Sequence, residues 1–191
     1  MTKKSLGAET IVYPTPVWLI GTYDDTGKPN AATVAWGGIC SSKPPAVAVS
    51  LRPARHTHGA IMARRAFTVN IPSQDHVKEA DYFGLVSGKK EDKFAKSGLT
   101  PVHSELVDAP LIEECPLTLE CKLLQTVDLG VHTQFIGEIL DAKADESILE
   151  DGHPDMAKAR SILFGPGCMA YHGIGEFLGK AYSIGREILD R

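Results

Sequence analysis

The chain has 191 residues, 43% of them hydrophobic and 23% charged, with a formal net charge of -4 at pH 7. That length and balance predict one soluble globular domain over residues 1–191, large enough for a sizeable core. A general nucleic-acid binder would need a basic footprint, and no apolar run approaches the ~20 residues that cross a bilayer, so neither kind of partner is expected.

Behind Met1 to Leu6, with its two lysines, no apolar stretch follows. No signal peptide is read there, and the expected location is cytoplasmic. Pro14 and Pro16 lead into Val17 to Tyr23, a mostly buried strand. Asp24 to Pro29 is a turn in which Gly27 supplies the special backbone angles. Asn30 to Trp36 resumes as the second arm of the hairpin. Lys43-Pro44-Pro45 breaks the chain before a strand over Ala46 to Leu51. A short helix over about Gly59 to Arg65 comes next. A strand from Ala66 to Ile71 follows, stopped by Pro72. Residues 75–83 are expected to be helical, with Ser73 as cap.

Residues 84–116 are rich in glycine and proline and are expected to be loops. Two longer strands follow, Leu117 to Leu129 and Thr133 to Ala144, with Gly130 near the bend between them. The alternation of Leu117, Leu119, Cys121 and Leu123 predicts an antiparallel pair with one buried face. The stretch 145–163 is acidic and then weakly helical, and the tail after Gly165 is glycine-rich and partly extended. Gly165-Pro166-Gly167-Cys168-Met169-Ala170 fits the dinucleotide pattern G-x-G-x-x-A. The segment behind it is a poor helix, so it is read as a loop. Hairpin-connected strands with few, short helices predict a mainly β fold, a closed or partly closed antiparallel barrel with helical insertions.

The four cysteines, Cys40, Cys115, Cys121 and Cys168, form no C-x-x-C pair. Reduced, mostly buried thiols are expected, with a redox-active thiol as the alternative. His56 and His58 form an H-x-H with no carboxylate or cysteine spaced to complete a site, so no metal is expected.

The run Ser50-Leu51-Arg52-Pro53-Ala54-Arg55-His56-Thr57 carries the clearest chemistry. Hydroxyls and arginines end a strand and feed a helix N-terminus. There the free N–H groups and the helix dipole favour an anion, and arginine offers a planar fork for phosphate oxygens. The alternative is a helix capped by Thr57 with two solvated arginines.

Longer motifs add to this. They are Pro16-Val17-x-Leu19-Ile20-x-Thr22, Asp25-x-Gly27-Lys28-Pro29-Asn30-Ala31-Ala32-Thr33-Val34-Ala35-Trp36, and Pro44-Pro45-x-Val47-x-Val49-Ser50. Phe67-x-Val69-Asn70-Ile71, Asp92-Lys93-Phe94 and His132-x-x-Phe135-Ile136-Gly137-Glu138-Ile139 follow. In this order they resemble the flavin reductase-like family of FMN-binding split barrels, over roughly residues 10 to 180. Within that family the resemblance is to the flavoredoxin branch.

The resemblance implies a Greek-key-like split β-barrel, a homodimer, and one FMN per subunit near the subunit interface. It maps FMN binding onto Thr33, Val34, Ala35, Trp36, Ser50, Leu51, Arg52, Thr57, Asn70, Ile71, Asp92, Lys93 and Phe94. Ser50, Arg52, Thr57 and Lys93 would surround the phosphate and ribityl end, with Trp36 and the backbone near Asn70 beside the ring. Trp36 as a core residue and Asn70 as a turn residue are the competing readings. His132 is the candidate catalytic residue, for positioning nicotinamide or relaying a proton, against a plain packing role. Related reductases often carry Gly-Asp-His there, whereas this chain has Gly130-Val131-His132.

The implied activity is an FMN-dependent oxidoreductase that takes hydride from NAD(P)H. One alternative is a carrier that takes electrons from another redox protein. The other is a ligand-binding protein without turnover.

Overall fold

The fold is described from a computed structural model covering residues 2–189. The first hairpin forms as the sequence predicts. β1 (Trp18–Tyr23) pairs antiparallel with β2 (Pro29–Val34). Asp24 fixes the turn, its Oδ1 accepting from the N–H groups of Thr26 and Lys28 at 2.9 Å each, while Gly27 takes φ +85.

The next strand departs from expectation. Residues 37–42 form β3 (Gly37–Ser42), and Lys43-Pro44 is the tight connection to β4 (Pro45–Leu51) rather than a break between separate elements. β3 is an edge strand with no buried residue, so it lacks the apolar alternation that marks a buried strand. β5 (Ala66–Ile71), β6 (Leu117–Asp128) and β7 (Thr133–Ala144) complete a seven-stranded antiparallel sheet in the order β2-β1-β5-β6-β7-β4-β3.

Six of these strands send side chains into one core. Ile20, Val34, Val47, Val49, Leu51, Phe67, Val69, Cys121, Leu123 and Phe135 pack together with Ile61 of the first helix. A single sheet can converge on itself in this way only if it curls into a barrel. Gly137 lets β7 close over Phe67, since a Cβ there would stand 2.5 Å from the ring. A second cluster (including Val17, Leu19, Ala31, Phe83, Phe94 and Ile112) packs helices against the outer face.

The two ends of the sheet, β2 and β3, are consecutive in sequence. The chain therefore crosses the seam of the barrel at Ala35-Trp36, where the Trp36 carbonyl accepts from the Ser50 N–H at 2.8 Å.

Helix α1 (His56–Arg64) begins three residues earlier than expected. Thr57 is not its cap. It lies buried within the first turn, where its hydroxyl accepts from Asn30 Nδ2 at 2.9 Å, and Arg55 stands at the cap position without a capping side-chain bond. The barrel wall has claimed the hydroxyl. His58 bonds Thr133 Oγ1 at 2.9 Å and packs edge-on against Phe135, and burial pushes its pKa down.

Ser73 caps as predicted, accepting from the Asp75 N–H and opening a 3-10 turn into α2 (Val77–Leu85). The stretch read as loops contains α3 (Lys93–Ser97), capped by Asp92, and a small hairpin, Pro101–His103 with Pro110–Ile112. Between 145 and 163 only Met156–Ala159 is α-helical. A 3-10 turn over Glu146–Ile148 and a two-residue ladder, Leu149–Glu150 with His153–Pro154, precede it. The G-x-G-x-x-A segment is the loop it was read as. It joins two strands, Leu163–Gly165 and Ala170–His172. All four cysteines are free. Among the described residues no helix is long and apolar enough to cross a membrane.

Candidate functional site

A groove of about 520 Å³ lies along the seam. Its floor is the end of β2 and the crossing, Thr33 to Trp36, continued by Ser50, Leu51 and Arg52 at the end of β4. Both stretches lie at strand ends, so their backbone borders the opening while Val34 and Leu51 turn their side chains into the core. One wall is the C-terminal end of α2, with Asp81, Gly84 and Leu85, together with the hairpin residues Phe164, Met169 and Tyr171. His132 and Arg55 complete the lining. Trp36 is 43% exposed, so it is a groove residue rather than a core one. The Thr33 hydroxyl donates to the Ala80 carbonyl, which ties the floor to α2.

A second, smaller and more polar space of about 80 Å³ shares Thr33, Leu51, Arg55 and Gly84 with the groove. Arg55, His56, Thr57, Ser87, Gly88 and Lys93 line it. Lys93 is only 4% exposed, and its Nζ donates to the carbonyls of Ala31 at 2.7 Å and Phe83 at 2.9 Å. Burial, and next the like charge of Arg55, push the Lys93 pKa down from 10.5 to about 8. The buried Asn30 Oδ1 and His56 Nε2 have no hydrogen-bond partner. A Cβ on Gly88 would come within 2.2 Å of Asn30 Oδ1 and 3.1 Å of the His56 ring, so only glycine lets the backbone line this pocket. Two cations, Arg55 and Lys93, line one small cavity, and an anion there would relieve their repulsion.

The structure brings together Thr33, Val34, Ala35, Trp36, Ser50, Leu51, Arg52 and His132 in the groove, and Thr57 and Lys93 in the pocket. It gives the other four different partners. Asn70 is fully buried, donating to the Leu19 carbonyl and Thr68 Oγ1 and accepting from the Ile112 N–H. Ile71 packs against the barrel core. Asp92 caps α3 and pairs with Lys28 at 3.0 Å, and Phe94 packs edge-on against Phe83.

Sequence reasoning missed Arg55 as the arginine common to both spaces. The resemblance assigned Arg52 to the phosphate and left out Arg55, although both stand in the Ser50–Thr57 run. It also missed Asp81, Phe164, Met169 and Tyr171. The Tyr171 hydroxyl donates to Asp81 Oδ1 at 2.8 Å, and burial with this bond pushes the tyrosine up to about 12. Only contact between α2 and a hairpin 90 residues further on makes this pair.

Fold and site together define a split antiparallel β-barrel with a groove along its seam. The chain belongs to the family described as flavin reductase like domain, whose model matches residues 10–163, and is thus a flavin reductase-like protein. Flavoredoxin of Desulfovibrio vulgaris (Miyazaki F) is 53% identical with a TM-score of 0.93, covering 96% of this chain and 100% of that one. Flavoredoxin from Methanosarcina acetivorans is 33% identical with a TM-score of 0.91, covering 98% and 100%. The reductase component of 4-nitrophenol 4-monooxygenase/4-nitrocatechol 2-monooxygenase from Rhodococcus opacus is 31% identical over 118 residues, 62% of this chain and 60% of that protein.

Proposed function

We propose that the groove and its side pocket hold one FMN, and that the protein is an FMN-dependent oxidoreductase. The observation that carries this is the junction of a largely apolar groove with a small pocket holding Arg55 and Lys93. A planar ring suits the first space and a phosphate the second. Bound flavin supplies the two-electron chemistry, and the protein supplies position and electrostatics. Arg55, Lys93, Ser87 and Thr57 would bind the phosphate. The strand ends at Thr33 to Trp36 would orient the ring. Phe164, Met169 and Leu85 would exclude water from one side.

On this reading NAD(P)H is the hydride donor, and His132 on the groove lining positions nicotinamide or moves a proton. The Rhodococcus reductase component supports it by its name. A second reading is an electron carrier fed by another redox protein. The flavoredoxin likeness along nearly the whole chain favours it, as does Val131 in place of an acid before His132. We also propose a homodimer. The exposed edge strand β3, with Ile39 85% exposed, and the exposed Val131 and Met169 beside the seam leave apolar surface that a second copy would cover. Sedimentation as a monomer at micromolar concentration would count against it.

The experiment is a flavin titration of apoprotein followed by anaerobic mixing with NADH or NADPH. Stoichiometric FMN binding is expected, and no binding refutes the flavin reading. Rapid bleaching of the band near ~450 nm supports the reductase. An FMN-loaded protein that does not bleach supports the carrier.

A further inference from the structure

Among the described residues lining the groove, Asp81 is the one carboxylate, facing a lining that otherwise carries Arg52, Arg55 and His132. It is half-buried. The Tyr171 hydroxyl donates to its Oδ1, and no ion pair to it occurs among the described residues. Of the two arginines, Arg55 also lines the smaller pocket that holds Lys93. A ligand whose phosphate enters that pocket leaves its uncharged portion in the groove that Asp81 lines.

We infer that Asp81 sets the reduction potential of the bound flavin, with Tyr171 as the positioning residue that directs and partly disperses its charge. This rests on the flavin reading. The electrostatic argument is simple. A flavin ring that takes up two electrons and one proton gains one net negative charge. An unpaired carboxylate in the same low-dielectric groove opposes that gain, because like charges are poorly screened there. Asp81 therefore holds the potential down and makes the reduced flavin a stronger donor. The Tyr171 hydroxyl spreads the carboxylate charge and tempers the effect.

The test is a potentiometric titration of FMN-loaded protein with dithionite as the reductant and a reference dye, preceded by an FMN binding titration for each variant. Asp81→Asn should raise the potential, so that at a fixed applied potential the ratio of reduced to oxidised flavin increases about tenfold. For a two-electron couple that is about 30 mV. Tyr171→Phe leaves the carboxylate less compensated and should shift the ratio a few-fold the other way. Asp25→Asn, an exposed turn acid, should leave it unchanged.

The opposite signs are what separate electrostatics from architecture. The amide of Asp81→Asn can still accept from the Tyr171 hydroxyl, so that variant removes the charge and keeps the bond, whereas Tyr171→Phe removes the bond and keeps the charge. A purely structural latch would leave the Asp81→Asn potential at the parent's and move only the Tyr171→Phe one, and that result overturns the inference. An unchanged potential in an Asp81→Asn protein that still binds FMN also overturns it. Should Asp81→Asn fail to fold, a Tyr171→Phe potential at or above the parent's does the same. A parent that binds no FMN fails at the first step and refutes the flavin reading itself.

Discussion

Lys93→Met separates the anion-site reading of the small pocket from a purely structural one. Lys93 is almost fully buried, donates to two backbone carbonyls, and shares the pocket with Arg55. Its pKa falls from 10.5 to about 8, chiefly through burial. That difference sets about 3 kcal/mol against the charged form in the empty protein at neutral pH. Removing the charge relieves this cost and gives up two hydrogen bonds worth about 1 kcal/mol each. Apoprotein stability should thus stay within about 2 kcal/mol of the parent.

FMN affinity behaves differently. Losing one charge-assisted phosphate contact should cost about 1.5–3 kcal/mol, roughly one to two decades, while riboflavin affinity stays within a few-fold. The pH dependence gives a signed check. Between about pH 8 and 10.5 the unfolded lysine holds a proton that the folded one has lost. The unfolded state then binds more protons, so parent stability should rise with pH across that window. The Lys93→Met protein should lack that rise. Urea unfolding at several pH values and fluorescence titrations with both flavins are the assays. A variant destabilised by well over 3 kcal/mol that still prefers FMN to riboflavin would refute the reasoning.

Arg55→Ala should lose FMN affinity by about 1.5–3 kcal/mol with riboflavin binding little changed, whereas Arg52→Ala, which lines the groove but not the pocket, should affect both flavins alike. Competitive titrations compare them, and a phosphate preference lost only with Arg52 would reverse the assignment. His132→Ala should slow anaerobic flavin bleaching by NAD(P)H about 10- to 10⁴-fold without emptying the flavin site, and a rate within a few-fold of the parent would remove His132 from the chemistry. Cys115→Ser and Cys121→Ser should leave flavin reduction intact while lowering stability modestly, because both thiols are buried in packed clusters and burial raises their pKa, that of Cys121 to about 12. A large loss of electron transfer at unchanged flavin content would contradict this.

The sequence by itself determined the antiparallel β character, the first hairpin and the long Leu117–Ala144 ribbon, because turn chemistry and period-two alternation are local properties. The family resemblance carried by its motifs also pointed to most of the residues of the groove floor, Thr33 to Trp36 and Ser50 to Arg52, because these are short contiguous segments at strand ends. Tertiary structure decided the rest. Strand β3 carries no apolar period and exists because it pairs with β4. Thr57 reads locally as a cap, yet Asn30 on a different strand captures its hydroxyl. Asn70 reads as a site residue, yet its three hydrogen bonds are spent inside the barrel wall. The meeting of Arg55 with Lys93, and of Asp81 with Tyr171, joins residues 38 and 90 positions apart. Curling of the sheet and docking of α2 bring such groups together, and no local pattern encodes them, because side chains that converge across a seam share no period along the chain.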